Sequence, residues 1–147
     1  MRVVLFDARD RSSIDVALAI RRRVFVDEQG FPLDEEVDAH DSGDPETVHA
    51  VAFAEGTPIG AGRFYAVDPS CVQIGRMAVL SRERGKGAGR ALLLALLAEA
   101  RRRGYRRARL LAQIHAIPFY RAAGFAAAGE PEMDGGQLHQ AMQTELG

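Results

Sequence analysis

One cysteine, Cys71, is all the thiol chemistry the 147-residue sequence offers, so no internal disulfide can form. On a strand with no predicted partner nearby it reads as a small buried apolar group rather than a nucleophile. The opening residues MRVVLFDARD hold no long apolar stretch to serve as a signal peptide or anchor. With the lack of disulfides, this implies a reducing, cytoplasmic setting. An excess of charge of one sign is missing too. Nineteen Lys and Arg face twenty Asp and Glu for a net charge of -1, and the pI is near 6.4. No global basic field is present to recruit nucleic acid or an acidic membrane. Lys86 is the only lysine, and the accompanying wealth of arginine and alanine reads as compositional bias. Repeats, low-complexity tracts and linkers are absent. At 47% hydrophobic, the chain is expected to form one domain, 1–147, with a sizeable core.

What is present reads as an alternation of short strands and two longer helices. Arg2 to Phe6 is a first strand, and Ser12 or Ser13 can cap a helix in which Val16, Ile20 and Val24 recur every four residues, running to about Val26. Asp27 to Pro45 is acidic and rich in turn residues, and reads as a loop with at most one helical turn. Thr47 to Ala54 and Ile59 to Val67 flank EGTP, a hairpin signal, and Cys71 to Leu80 follows as the third strand of a meander. Gly87 to Arg103 is the longest helix, apolar almost all round, with Gly104 placed to cap its end. Arg107 to Gln113 is a strand, Ala116 to Ala123 a short helix, and Phe125 to Ala128 and Gln137 to Leu146 the last strands. A strand, helix, strand order implies a parallel pair with a right-handed crossover. The fold class is therefore α/β with a mixed, mostly antiparallel sheet and one parallel βαβ crossover, flanked by helices.

The stretch RERGKGAGRALL, Arg82 to Leu93, sets Gly85, Gly87 and Gly89 against the start of that longest helix. A strand-to-helix turn exposes unpaired N–H groups and the positive end of the helix dipole, which suits an anion such as a diphosphate. Glycines remove the Cβ from a ligand's approach, and Arg84, Lys86 and Arg90 add positive side chains. The bland alternative is a flexible surface turn. A P-loop is excluded because Gly85-Lys86 is followed by Gly87 rather than Ser or Thr. The dinucleotide fingerprint fails because Gly87 and Gly89 are one residue apart rather than two.

The Arg-x-x-Gly-x-Gly pattern of Arg84, Gly87 and Gly89 resembles the GNAT superfamily of acyl-CoA-dependent N-acetyltransferases. IGRMAVLSRERGKGAGRALL is similar to that family's fourth strand, pyrophosphate loop and third helix, and IHAIPFYRAAGF resembles its second signature. VFVDEQGFPLDEEVDAHD resembles a small bacterial, YjcF-like branch. The resemblance implies a GNAT-like acyl-CoA N-acyltransferase fold, with acetyl-CoA as donor and no metal. Backbone amides around Met77, Ala78 and Val79 would pair with the pantetheine arm as with an added strand. Arg84 to Arg90 would hold the diphosphate through the N–H groups of Gly85, Gly87, Ala88 and Gly89, helped by the Arg84, Lys86 and Arg90 side chains.

Acyl transfer from a thioester to an amine needs a neutral amine, a stabilised oxyanion and a proton for the departing thiolate. Tyr120 matches the family's acid, its bland alternative being a core tyrosine. A backbone N–H near Val79 matches the oxyanion donor, and Gln113 stands where relatives carry an asparagine that binds the pantetheine or orders a water. No glutamate lies on CVQIGRMAVL or RARLLAQ, so the base is sought in Glu28, Glu36 or Asp38, or in His115 acting through water. For any one of them the bland reading is favoured, a solvated acidic loop or a helix-capping histidine; Glu28 is the best functional candidate. DEEVDAHDSGD lacks EF-hand spacing, and its acidity suits attraction of a cationic amine. The expected acceptor is an amine of a small molecule, peptide or protein, with no nucleic acid or membrane as partner and room for a homodimer. The alternatives are a non-catalytic acyl-CoA-binding regulatory domain and, less favoured, a nucleic-acid module using Arg101 to Arg103, Arg106 and Arg107.

Overall fold

Alternating apolar residues with tight turns between them generate the first half of the sheet in a computed structural model that describes residues 1–147. Strands β1 (Arg2–Asp7), β2 (Val48–Ala54), β3 (Thr57–Asp68) and β4 (Cys71–Val79) pair antiparallel in that order. Glu55 and Gly56, both at positive φ (51° and 80°), make the tight turn between β2 and β3 that the EGTP signal predicts. Helix α3 (Ala88–Arg102) then crosses over to β5 (Arg107–Gln113), which lies parallel to β4. Strand β8 (Gln137–Glu145) pairs antiparallel with β5, and the short β6 (Ala126–Ala127) and β7 (Glu132–Asp134) line its other side. This is the mixed sheet with one parallel crossover expected from the sequence.

Helices cover both faces. Leu92, Leu93 and Leu96 of α3 bury against Phe64, Ile74, Leu110 and Met142, while α1 (Arg11–Arg21) sets Ala17 and Ile20 against Val51, Ala61 and Ala78. The α3 face depends on two glycines of β3. A Cβ at Gly62 would stand 2.5 Å from Met77 Sδ and 3.1 Å from Leu96 Cδ1, and one at Gly60 would stand 2.9 Å from Leu92 Cδ1.

Local details depart from the sequence reading. Asp10, not Ser12 or Ser13, caps α1: its carboxylate accepts from the Ser13 N–H at 3.2 Å and from the Ser13 hydroxyl at 2.8 Å. A carboxylate one position before the first turn takes the free amides that a serine inside the turn cannot reach. The helix does continue past Arg21, but as a π-helical segment over Arg22–Glu28. The acidic stretch holds one helical turn, α2 (Leu33–Glu36), and a 3-10 turn at Ala39–Asp41. A 3-10 turn at Ile114–Ala116 precedes α4 (Ile117–Ala122), and β7 is an additional strand.

The acidic segment is not a solvated loop. Glu36 and Asp41 are buried together with Arg21 and Arg63. The Arg21 guanidinium donates to Glu36 at 2.6 Å and to both Asp41 oxygens at 2.8 and 3.0 Å. Arg63, in the middle of β3, donates to Asp41 at 2.8 Å and to Asp38 at 2.8 and 2.6 Å. Arg76 completes the group by donating to the Glu36 carbonyl at 3.0 Å, with Asp38 3.5 Å away. Three carboxylates thus face three guanidiniums, so much of the segment's acidity is neutralised internally rather than offered to a cationic acceptor. Burial alone would raise the Asp41 pKa, but the guanidinium of Arg21, reinforced by Arg63, outweighs it and holds the carboxyl well below the usual range.

Because the folded value is depressed, this contribution to stability is complete above the ordinary carboxylate pKa of about 4 and declines as pH falls below it. Asp41→Asn leaves two buried guanidiniums short of a counter-charge and is expected to cost about 3–5 kcal/mol. Urea denaturation of both proteins at pH 7 and pH 3 measures it, and the gap should narrow at the lower pH.

Candidate active site

The parallel pairing of β4 with β5 is short. Only Cys71–Gln73 face Arg107–Arg109, after which the strands part. A bulge in β4 drives the parting: Arg76 and Met77 together oppose Gly62, and Arg76 sits at φ 53°. A cavity of about 970 Å³ opens there, walled by β4, β5, the π-helical end of α1 and the loop before α3.

Strand alternation decides which β4 amides face the opening. The Leu80 N–H donates to the Ile59 carbonyl at 2.9 Å, so Leu80 and Ile59 form a hydrogen-bonded pair, Val79 and Gly60 a non-bonded one, and Ala78 and Ala61 a bonded one. The N–H and C=O of Val79 therefore face the gap. The amide of Ala78 faces β3, Met77 lies within the bulge, and both residues line the cavity.

At the far end, Gly85 and Gly87 adopt φ of 79° and 94°, and a Cβ at either would meet nothing within 4 Å. Gly87 is the N-terminal cap of α3 and has no side chain to satisfy the helix amides. The Ala91 N–H is the first to bond within the helix, to the Gly87 carbonyl at 3.0 Å, which leaves the N–H groups of Ala88, Gly89 and Arg90 free. All of these residues line the cavity. The side chains around them are partly engaged: Lys86 is 3.2 Å from Glu83, whereas Arg90 has no carboxylate partner.

Arg84 does two things at once. Its Nε donates to the Val79 carbonyl at 3.0 Å, and its terminal nitrogens grip Glu28 at 2.6 and 2.8 Å. The Arg84 guanidinium holds the Glu28 carboxyl below the ordinary glutamate range. Two expected site residues, one for the base and one for the diphosphate, are thus joined to each other.

Tyr120 of α4 is 8% exposed and makes no hydrogen bond, and burial pushes its phenol pKa up. Arg63 Nε is the one sealed side-chain nitrogen or oxygen without a partner, so the Tyr120 hydroxyl is not sealed and opens onto the cavity it lines. Gln113 also lines it, donating to Gln29 at 2.8 Å across the opening. On the acceptor side, Phe31 packs edge-on against Phe25 at 6.2 Å and lies over Gly135, where a Cβ would fall within the Phe31 ring. His115, Asp38, Glu36 and Glu28 reach the same cavity, but Glu36 and Asp38 are held by arginines. Sequence reasoning passed over Gln29, Phe31, Arg76 and His139, all of which line the cavity.

An edge amide, free helix amides and an unbonded phenol meet around one cleft. The sequence pattern of the Acetyltransferase (GNAT) family matches residues 15–125. The chain belongs to the GNAT family. It is 32% identical to the Bacillus subtilis (strain 168) protein named N-acetyltransferase YjcF, itself uncharacterized, over 94% of this chain and 96% of that one. A crystal structure of an acyl-CoA N-acyltransferase from Pseudomonas aeruginosa superimposes with a TM-score of 0.83 at 29% identity, covering 97% of this chain and 98% of the other. A Lactobacillus plantarum structure gives a TM-score of 0.89 at 27% identity, covering 99% and 97%. This GNAT chain is accordingly an acyl-CoA-dependent acetyltransferase by family.

The Glu28–Arg84 contact is 39% and 43% exposed, so its worth to folding is small. A double-mutant cycle with Glu28→Gln and Arg84→Gln, read by chemical denaturation, should give a coupling of no more than about 1 kcal/mol.

Proposed function

We propose that residues 1–147 form one GNAT domain that transfers an acetyl group from acetyl-CoA to an amine of a small molecule, peptide or protein, by direct attack in a ternary complex in the cytoplasm. The observation that carries this reading is that the gap-facing Val79 amide, the free N–H groups at the start of α3 and the unbonded Tyr120 hydroxyl all meet one cavity. The residues suit the donor: an unpaired strand edge accepts an amide-bearing arm as an added strand. Open glycine turns at a helix N-terminus admit a diphosphate.

Each group has a task in that reading. The N–H groups of Ala88, Gly89 and Arg90, with the Gly85 and Gly87 backbone, bind the diphosphate, and the Arg90 side chain adds an uncommitted charge. The exposed Glu28 contact is weak enough for a diphosphate to compete for Arg84. Glu28 is the resting partner of Arg84, whose guanidinium holds its carboxyl below the ordinary glutamate range until the diphosphate takes that arginine. The Val79 N–H stabilises the oxyanion as the thioester carbonyl is attacked. Gln113, hydrogen-bonded to Gln29, orients the arm or a water beside it. Tyr120 gives its proton to the departing thiolate; burial raises its pKa, which keeps the phenol protonated and makes the transfer to sulfur more uphill than from a solvated tyrosine.

Release of free thiol from acetyl-CoA should depend on an added amine and fall about 10²- to 10⁴-fold in Tyr120→Phe, with acetyl-CoA binding retained. CoA binding without turnover across a broad amine panel would instead identify a regulatory acyl-CoA-binding domain. Gly87→Ala forces a Cβ into a left-handed position at the diphosphate loop and should raise the acetyl-CoA Kd about tenfold, read by calorimetry, for a local strain of about 1–2 kcal/mol.

A further inference from the structure

The acyl-transfer reading leaves one chemical role without an owner, the group that takes the proton from the attacking amine. Of the carboxylates that line the cavity, Glu36 and Asp38 are held by Arg21 and Arg63, Glu83 by Lys86 and, in the resting site, Glu28 by Arg84, while Glu35 and Asp134 are exposed. His139, in β8, is different. It is 4% exposed and lines the cavity. Its Nδ1 lies 2.9 Å from the Gln137 carbonyl. A carbonyl can only accept, so Nδ1 carries the hydrogen, and in the neutral ring the lone pair belongs to Nε2.

That Nε2 has no partner. It is not a sealed orphan either, because Arg63 Nε is the one sealed side-chain nitrogen or oxygen without a hydrogen bond. The free lone pair therefore keeps some exposure, and His139 lines the cavity. Sheet register shows the company it keeps. His139 lies directly opposite Gln113 on β5 and opposite Glu132 on β7, and opposed residues share a face. Gln113, with its link to Gln29, thus stands next to the imidazole on the cavity side.

We propose that His139 Nε2 is the general base of this enzyme, an inference that rests on the acyl-transfer reading. The amine nitrogen attacks the thioester carbonyl carbon, and its proton passes to His139 Nε2, directly or through one water. The C–N bond forms and the C–S bond breaks. The sulfur takes the Tyr120 proton, and solvent then returns a proton to Tyr120 and removes the one on His139. Opposite the ring across the sheet stand Gln113 on β5 and Glu132 on β7, with Asp134 on β7 and Gln137 on β8 two residues along the same face, and His115 and Glu35 line the same cavity.

His139→Asn tests this, because an asparagine amide can keep the donation to Gln137 while removing Nε2. With acetyl-CoA and an amine that the wild type acetylates, kcat/KM for the amine should fall about 10²- to 10³-fold. The acidic limb of its pH profile should disappear, while the acetyl-CoA Kd should stay within about twofold of wild type. A variant that keeps near-wild-type kcat/KM with its acidic limb intact overturns the assignment of His139 and leaves acyl transfer standing. A wild type with no amine-dependent thiol release overturns acyl transfer itself, and the base role with it. Should the variant not fold, ¹⁵N NMR of the wild-type imidazole decides. A hydrogen on Nδ1 with Nε2 bare supports the base; a hydrogen on Nε2 in the neutral ring sinks it.

Discussion

The parting of β4 from β5 governs this molecule. Parallel strands joined by a long crossover would ordinarily pair along their length, yet here the ladder stops after Cys71–Gln73 and Arg107–Arg109. The extra residue of the β4 bulge turns the strand away, and the small side of that bulge is Gly62, whose missing Cβ leaves room for Met77 and Leu96. An edge produced inside a sheet has unpaired backbone groups and would invite aggregation if it faced solvent. Here it faces a cavity, and Arg84 occupies the Val79 carbonyl. The same event that interrupts the sheet opens the cavity, and α3's bare amides line its far end.

The second constraint is the ion-pair group at the cavity wall. Arg21 from α1, Arg63 from β3 and Arg76 from the bulge are tied to Glu36, Asp38 and Asp41, so one short acidic segment is fastened to three separate elements. Buried pairs of this kind contribute little net stability relative to an apolar core, because desolvation offsets much of the attraction. Their effect is positional. With the segment between Phe31 and Asp41 pinned from below, Phe25 and Phe31 are held over the mouth of the cleft.

The antiparallel meander and the parallel crossover were legible in the sequence, because period-two alternation and a long apolar helix are local signals. What escaped was non-local. Arg63 sits in an otherwise apolar run, IGAGRFYAV, and a charge there is interpretable only once Asp38 and Asp41, more than twenty residues away, are known to meet it. The acidic segment read as solvated for the same reason. Asp10 outcompeted the serines because cap choice depends on one residue of phase, and β7 is three exposed residues with no apolar alternation. His139 gave no signal at all: its meaning comes from a register, β8 against β5, that periodicity does not encode. An arginine inside a strand of small apolar residues was the one available hint that carboxylates must be buried nearby.

Phe31 and Gly135 come from opposite ends of the chain, yet they share one van der Waals boundary. Neither can be altered alone. A side chain at 135 has no space while the ring is present, and loss of the ring removes what the bare turn was shaped to receive. The two positions therefore form a matched pair, and a change at one is expected to require a compensating change about a hundred positions away.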